Sequence, residues 1–457
     1  MRADIIGNKI VLKHQETLID ELFDEDFYSY ANTQASKFVN DTIGVNEVYD
    51  NLIHYSFAIE RWMKDNNPDR ANIAKADEEI FYYAKDVCDK LNIYLTGYHF
   101  WNPFFSRLKF DANVLGSALY ITYLLLKIPY KPGINTTNQF AIVRTKASIK
   151  KFKKFDEIQQ EVESLYEKNS IYRLFSKWTR IKWMFKSYEN AYKQFNKMVL
   201  FYEPLMGRHF RYSLMHFYKK RIVYAELYRC LLDDYFKHFK GCNFYTGNNL
   251  DRYSVVEEQE KIKFNIKSYC IPHGIEYGFK FPKGFSCDVF YVHSQYTADY
   301  LNKLYDTSKY VYDESIIRRM FEYHYEKPHE KMIIFFTEPR EVNVNLDIVN
   351  GLLPKIKEKG WTLYLKLHPG DNKSNYEGLD VEYITDYDLS MTGNICISRK
   401  STILIEAIYN NSLPVAIITN PKDQNIFNTI PSLNAKEIVK TYSVEELFEI
   451  ISKNIVL

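Results

Sequence analysis

Apolar residues are distributed differently in the two halves of this 457-residue chain. From residue 242 onward, short apolar runs alternate with segments whose apolar residues recur at helical spacing. Such alternation predicts βαβ units and parallel sheets, which places the chain in the α/β class. The clearest predicted strands are residues 331–336, 361–368, 380–384, 394–398 and 413–419. The clearest predicted helices are residues 344–359, 401–409 and 443–453, the last with a capping box of Ser443 and Glu446.

The first half of the chain has weaker patterns. Residues 4–12 and 92–96 are predicted as strands, and residues 43–64 and 74–91 as helices. Residues 111–240 contain almost no strand pattern, which predicts a large helical insertion. The charged and polar stretch at 305–330 is predicted to be a linker between two domains, residues 1–304 and 331–457.

Composition narrows the class of protein. Hydrophobic residues make up 46% and charged residues 26% of the chain, as in globular proteins, and its length predicts two or three domains. The six cysteines form no C-x-x-C pair, and the first residues lack the apolar core of a signal peptide. The apolar run at 114–128 is too short and broken to span a bilayer. We therefore expect a cytoplasmic protein, and peripheral attachment to the inner face of the plasma membrane stays open.

Positive charge is concentrated in residues 144–197, although the whole chain carries only +2. This segment has 14 Lys and Arg against 6 Asp and Glu, a net charge of +8, and interleaves them with Phe and Trp. Such helices bind anionic membrane surfaces or nucleic acid, or are ordinary solvated faces. An anionic membrane and a plain surface both stay open, and we expect no nucleic acid partner.

Two short motifs in the second half carry the candidate chemistry. KLHPGD (366–371) ends a predicted strand, and SRKSTILIEA (398–407) connects a strand to a helix. Because a helix N-terminus offers unpaired N–H groups and partial positive charge, an anion binds there favourably. We expect Ser401 and Thr402 to add hydroxyl donors, and Lys366 and His368, followed by Pro369, to donate from the adjacent strand.

In order and spacing, these motifs resemble the nucleotide-binding half of GT-B glycosyltransferases that build bacterial surface polysaccharides. They are similar to the bacterial sialyl-, polysialyl- and Kdo-transferases and to the teichoic-acid glycerophosphotransferases. The resemblance implies two Rossmann-like domains facing across a cleft, an N-terminal one for the acceptor and a C-terminal one for the nucleotide sugar. It implies metal-independent, inverting transfer of a sugar to a polysaccharide or glycolipid, without a cofactor. A CDP-glycerol-type polyol-phosphate transferase and a non-catalytic glycan- or membrane-binding scaffold are the alternatives.

The resemblance also assigns roles to residues. Pro-His-Gly at 272–274 matches the histidine version of the acceptor-activating motif and departs from the acidic version of the sialyltransferases. It implies that His273 is the general base, because a neutral imidazole is available near pH 7, with Glu276 as the substitute. Further candidates are the phosphate- or sugar-side residues Thr337, Glu338 and Arg340, the ribose-side Glu406 with a helix–sheet contact as its alternative, and the acceptor-side residues His99, Trp101, Asn248 and Arg252.

Other ligand motifs are weak. The D-x-D pairs at 24–26 and 386–388 resemble metal-binding motifs of GT-A enzymes, but their contexts are those of a helix face and an interstrand loop. There is no GxGxxG and no P-loop, which argues against dinucleotide and NTPase sites. We therefore expect no metal site.

Overall fold

The computed structural model describes residues 1–38, 44–97, 103–247, 251–272, 281–282, 284, 286–339 and 341–455. Three β-sheets and many helices make it a mixed α/β protein, which confirms the predicted class. The described residues up to Phe290 form one compact unit, and those from Tyr291 onward form a second.

The first sheet has five strands in the order β3-β2-β1-β4-β5. The strands are β1 Arg2–Gly7, β2 Lys9–Leu12, β3 Gln15–Leu18, β4 Arg70–Ala76 and β5 Tyr94–Thr96. Ile6 pairs with Lys9, so a tight turn divides the single strand predicted at 4–12 into a hairpin. Gly7 in this turn has a φ of 59°, a left-handed conformation that favours glycine. The predicted strand at 92–96 is confirmed as β5.

The helices of the first unit include those predicted at 43–64 and 74–91, with shifted boundaries, and an unpredicted helix, Glu25–Ala35. They are α1 Glu25–Ala35, α2 Val45–Val48, α3 His54–Asn66, α4 Glu78–Leu91, α5 Pro103–Lys127, α6 Lys146–Phe152, α7 Lys177–Met206, α8 Phe210–Tyr218, α9 Ile222–Phe236 and α10 Arg252–Lys263. A π-helical turn, Tyr49–Ile53, joins α2 to α3, so the helix predicted at 43–64 is confirmed over its described part. The helix predicted at 74–91 begins only at Glu78, because the preceding residues alternate between buried and exposed positions as strand β4. In the described residues, no helix is long and apolar enough to cross a membrane.

The second sheet has six strands in the order β11-β10-β9-β8-β6-β7. Its strands are β6 Gln139–Val143, β7 Gln159–Val162, β8 Asn243–Thr246, β9 Lys267–Cys270, β10 Val289–Tyr291 and β11 Tyr310–Val311. The pairings from β10 through β7 are parallel. The prediction that 111–240 lack strands is therefore wrong, since β6 and β7 lie within that range. The edge strand β7 has the mostly polar sequence QQEV, which leaves no apolar alternation to detect.

The third sheet matches the sequence pattern most closely. Its order is β14-β13-β12-β15-β16-β17, and all its pairings are parallel. Its strands are β12 Ile333–Phe336, β13 Leu363–Lys366, β14 Glu382–Tyr383, β15 Ile395–Ser398, β16 Leu413–Ile417 and β17 Val439–Thr441. The helices of this unit are α11 Gln295–Tyr305, α12 Glu314–Phe321, α13 Val342–Glu358, α14 Tyr387–Met391, α15 Ile403–Tyr409, α16 Pro421–Asn428 and α17 Val444–Asn454. The predicted strands and the three predicted helices are confirmed, whereas the short β17, α14 and α16 were not predicted.

Helices cover both faces of the third sheet. On one face, residues of α13 and α17 such as Leu352 and Leu447 pack on Ile333 and Leu365. On the other face, Ile334 and Cys396 pack with the buried Ala407 of α15. Burial on both faces explains why the strands are continuous apolar runs and were predictable. The segment predicted to be a linker, residues 305–330, contains strand β11 and helix α12.

The capping box of α17 has an altered geometry. The Ser443 hydroxyl accepts the Glu446 backbone N–H at 3.2 Å, as predicted. The Glu446 carboxylate reaches one residue further back and accepts the Tyr442 N–H at 2.7 Å. One N–H in the first turn, that of Glu446, and the N–H of the residue before the N-cap are therefore satisfied.

The charge of residues 144–197 does not all face solvent. Arg144 and Arg180 are buried, and Arg180 donates to the backbone carbonyls of Leu125 and Ile128 at 2.6 and 2.9 Å. Arg173 pairs with Glu161 at 2.7 Å. The exposed cations of this segment are mostly lysines, many of them on α7.

Candidate functional site

The strand order of the third sheet reverses at β12. The chain passes from β12 to β13 on one side of β12 and then to β15 on the other side. In open parallel sheets, ligands bind at the carboxyl ends of the strands that flank such a reversal. Thr337 and Glu338 follow β12 directly, and Ser401 and Thr402 lie in the segment after β15. These four predicted residues thus lie at one edge of the sheet.

Arg399 is the centre of this edge, and sequence reasoning missed it. Its side chain is fully buried, and its Nε and Nη2 donate to the Asp423 carboxylate at 2.6 and 2.8 Å. Nη2 also donates to Glu341 at 2.7 Å. The neighbouring Lys400 donates to Asp423 at 2.6 Å. Its place inside the SRKST motif could have identified it, but the sequence alone does not distinguish a buried arginine from an exposed one.

Glu341 holds its position in a strained backbone conformation. It has φ of 58° and ψ of 51°, in the left-handed region that non-glycine residues rarely adopt, at the residue before α13. Its carboxylate contacts both Arg399 and Lys400. Strain of this kind persists only where surrounding contacts fix it, and it is common at functional sites.

A buried polar chain connects the loops after β12, β13 and β15. The Asn345 side-chain amide donates to the Glu338 carbonyl at 2.8 Å and to the Tyr376 hydroxyl at 2.9 Å. Tyr376 in turn donates to Asp371 at 2.7 Å, and Arg399 donates to the Asn345 oxygen at 3.3 Å. Because each member is both oriented and satisfied by the next, the loops are held in a fixed relation.

Two acidic groups at this edge have pKa values shifted in opposite directions. Burial raises the pKa of Glu338, and the nearby charges of Lys400 and Arg399 offset only part of the effect. Burial would also raise the pKa of Asp423, but hydrogen bonds from Arg399 and Lys400 outweigh it and lower that pKa. The cations of this edge are therefore matched by carboxylates. A phosphate here would depend on hydrogen-bond donors rather than on net positive charge.

His368 follows β13, and its ring is held with Nε2 available as a hydrogen-bond donor. Its backbone N–H donates to the Thr337 hydroxyl at 3.1 Å, and its Nδ1 accepts the Gly370 N–H at 2.9 Å. With Nδ1 occupied as an acceptor, the proton of the neutral ring is on Nε2. The side chain is exposed, so Nε2–H can donate to a ligand. Pro369 lies in the turn that follows and is also exposed.

The SRKST segment offers further donors. Helix α15 begins at Ile403, two residues later than predicted, and has seven residues. Ser401 and Thr402 precede it and are half-buried, and the Ser401 hydroxyl accepts the Ile403 N–H at 3.4 Å. The buried Ser398 hydroxyl, at the end of β15, has no hydrogen-bond partner among the described residues.

Lys366 and Glu406 are engaged in a different set of contacts. The Lys366 ammonium donates to the Thr385 carbonyl and lies 5.6 Å from the centroid of the Tyr387 ring. The buried Glu406 carboxylate accepts the hydroxyls of Tyr387 and Tyr323 at 2.6 and 3.0 Å. Glu406 thus connects its helix to Tyr323 and Tyr387 through hydrogen bonds. The predicted roles of Glu406 toward ribose and of Lys366 toward phosphate stay predictions.

The second sheet has its own reversal, between β6 and β8. Arg144 follows β6, and its Nη2 donates at 2.8 Å to Asp251, the N-cap of α10. The predicted Arg252 donates to Glu47 at 2.7 Å and to the Tyr253 hydroxyl at 3.1 Å. The guanidinium carbons of Arg144 and Arg252 lie 4.0 and 4.4 Å from the centroid of the Tyr253 ring. Two arginines and an aromatic ring therefore lie together at this second reversal.

Buried carboxylates accompany these arginines. Glu163 accepts the hydroxyls of Tyr172 and Tyr224 at 2.8 and 2.6 Å. Glu257 accepts those of Tyr228 and Thr246 at 2.7 and 2.8 Å. Burial raises the pKa of Glu257 to about 7, against the opposing attraction of Arg144 and these hydrogen bonds.

Glu257 is expected to make folding stability depend on pH. A carboxyl whose pKa is higher in the folded state stabilises that state fully below the unfolded pKa, ordinarily 4.5, and loses this contribution as pH rises through 7. In wild type, this loss should lower the free energy of unfolding by up to about 3 kcal/mol between pH 4.5 and pH 7. In Glu257→Gln, which cannot ionise at this position, that decrease should be absent. Urea midpoints measured across this pH range for wild type and variant test it. The exposed Glu167→Gln variant is the control, and superimposable wild-type and Glu257→Gln profiles would count against it.

Several predicted residues cannot be placed. His273, Glu276, Arg340, His99, Trp101 and Asn248 lie outside the described residues. Their proposed roles stay predictions.

The D-x-D pairs have structural contacts. Asp24 is the N-cap of α1, accepts the Phe27 N–H at 2.7 Å and pairs with Arg61 at 3.0 Å. Asp386 is the N-cap of α14 and accepts the Leu389 N–H at 2.9 Å. Among the described residues, the group whose ligand atoms could hold a metal ion is instead Asp86, Asp89 and His209, within 4.8 Å of one another. There the Nδ1 of His209 already contacts the Oδ1 of Asp86 at 2.8 Å.

The comparisons with known proteins identify no family. Neither a scan against protein-family models nor a search of curated proteins finds a match to this chain.

Proposed function

We propose that this chain is a metal-independent, inverting glycosyltransferase of the GT-B type. It would move a sugar from a nucleotide-sugar donor to a polysaccharide or glycolipid acceptor in bacterial surface glycan synthesis. One observation carries the proposal. The loops after β12, β13 and β15 bring Thr337, His368 and the 399–402 segment to one edge of a doubly wound sheet, at its reversal point.

The donor's diphosphate would bind at this edge. His368 Nε2–H and the hydroxyls of Ser401 and Thr402 would donate to the phosphate next to the sugar. Glu338, whose pKa is raised by burial, could donate a hydrogen bond when protonated. The network around Arg399 and Asn345 would keep these loops in place, so that the donors do not reorganise during reaction.

The chemical step would be a single displacement. His273 would remove the proton of the acceptor hydroxyl, whose oxygen forms a bond to the anomeric carbon. The bond from that carbon to the phosphate oxygen breaks at the same time, and its electron pair leaves with the nucleotide diphosphate or monophosphate. The donors at His368, Ser401 and Thr402 would stabilise the charge that develops on this oxygen. Attack from the face opposite the leaving group inverts the anomeric centre.

Nucleotide release from activated sugars tests this proposal. We expect turnover of one sugar among the CMP-, CDP-, UDP- and GDP-linked donors, and the rate should persist in excess EDTA because the phosphate is held by protein donors. Turnover of CDP-glycerol in place of a nucleotide sugar would identify polyol-phosphate transfer instead. Loss of activity in EDTA that manganese restores would contradict the metal-independent mechanism, and failure to use any donor would contradict catalysis.

A further inference from the structure

Helix α5 exposes an apolar face along its whole length. At 1.5 Å per residue its 25 residues span about 37 Å. The large apolar side chains on this face are 41–64% exposed, and they recur at the spacing of a single side of a helix. They are Phe105, Leu108, Leu115, Leu119, Tyr123 and Leu126.

The exposed apolar face of α5 is distinct from the side of the helix that packs in the core. The opposite side of α5 is buried, through Phe110, Val114, Ile121 and Leu125. A continuous apolar stripe in water is uncommon on soluble proteins and marks a docking surface. Two apolar sides also explain why α5 is hydrophobic nearly all round.

Helix α7 adds positive charge beside α5. The Phe110 ring of α5 lies 4.6 Å from the Phe195 ring, and Arg180, near the start of α7, donates to the Leu125 carbonyl near the end of α5. The two helices therefore run antiparallel, side by side. All of α7 is described, and its exposed side carries Trp178 and Phe185 among five lysines, with Glu189 as its exposed acid. The lysines are Lys177, Lys182, Lys186, Lys193 and Lys197.

We infer that the exposed faces of α5 and α7 dock this protein in the plane of an anionic lipid bilayer. The α5 stripe would enter the boundary between headgroups and acyl chains, and the α7 lysines would contact anionic headgroups. Tyr123, with the Lys127 ammonium 4.2 Å from its ring centroid, suits the interface, where amphipathic side chains concentrate. A second copy of the chain fits less well, because pairing two such surfaces would bring their lysines together. The inference does not depend on the proposed catalytic activity.

Vesicle co-sedimentation of the full chain tests the surface. We expect binding to phosphatidylcholine vesicles that contain phosphatidylglycerol, weaker binding without it, and a decrease with salt. Leu119→Glu places a charge in the centre of the stripe and should weaken binding by about tenfold or more. Lys182→Glu with Lys186→Glu should weaken binding to anionic vesicles specifically. Ile262→Glu, at a 70% exposed position of α10, is the matched control and should bind as wild type does.

Thermal midpoints of the variants should equal that of wild type, since the substituted side chains are exposed. Binding by Leu119→Glu that equals wild type would overturn the inference, as would the absence of binding to anionic vesicles. A wild-type dimer that Leu119→Glu converts to a monomer would identify a second copy as the occupant and would also overturn it.

Discussion

Replacing Arg399 with methionine is expected to lower the free energy of unfolding of the second unit by about 3 kcal/mol or more. The fully buried guanidinium satisfies Asp423, itself fully buried, and also contacts Glu341. Methionine fills similar volume but carries no charge, so that among the described residues Lys400 is the cation that still contacts both carboxylates. Removing one partner of a buried ion pair costs this much because the other charge stays desolvated.

Chemical denaturation followed by tryptophan fluorescence, to which Trp361 contributes from the second unit, measures this effect. Arg318→Met is the matched control, because Arg318 makes an exposed pair with Glu314 in the same unit, and its midpoint should hardly change. The double variant Arg399→Met, Asp423→Leu should recover part of the lost stability, since it removes the uncompensated charge. A midpoint for Arg399→Met equal to that of Arg318→Met would show that the buried cluster does not stabilise the fold.

His368→Ala is expected to lower the turnover of the proposed reaction on the order of 10²-fold, because it removes a donor to the leaving phosphate. The reason is the proton on Nε2, which the Gly370 N–H enforces by occupying Nδ1. His368→Gln keeps an N–H donor and should lose less. The apparent affinity for the acceptor should change little, since the donor acts at the other substrate.

Steady-state rates with donor and acceptor varied separately measure this effect. His329→Ala is the control, since His329 is an exposed histidine of the same unit. His273→Ala should instead reduce turnover while leaving nucleotide affinity nearly unchanged. If His368→Ala retains wild-type turnover, His368 is a turn residue only.

The third sheet could be predicted because burial on both faces makes its strands continuous apolar runs, as in β12 and β15. The strands β6 and β7 were missed for different reasons. β6 is an apolar run, QFAIV, like the strands of the third sheet, but it lies in a region whose pattern is otherwise helical, and β7 is a polar edge strand. At the site, the motifs around His368 and Ser401 were found from their position after strands. The central role of Arg399 was not, because its burial depends on Asp423 and Glu341, which lie 24 and 58 residues away in sequence.

Glu406 is a case in which sequence position suggested a ligand contact and the structure shows tertiary hydrogen bonds. Its place on the helix after SRKST suggested a ligand contact, yet its carboxylate accepts two tyrosine hydroxyls from distant segments. Sequence spacing locates an edge of a sheet, whereas the direction in which each side chain is engaged depends on its tertiary partners.

Nucleotide binding at the carboxyl edge of the third sheet is the central claim, and a thermal-shift titration tests it most directly. A nucleotide that binds the folded state alone stabilises it by mass action, by about 2.7 kcal/mol at a hundred times its Kd. With CMP, CDP, UDP and GDP tested in turn, one should raise the midpoint of wild type and of His329→Ala. The same nucleotide should have little effect on His368→Ala combined with Ser401→Ala. An equal rise in that double variant, or no rise in wild type with any of the four, would contradict the claim.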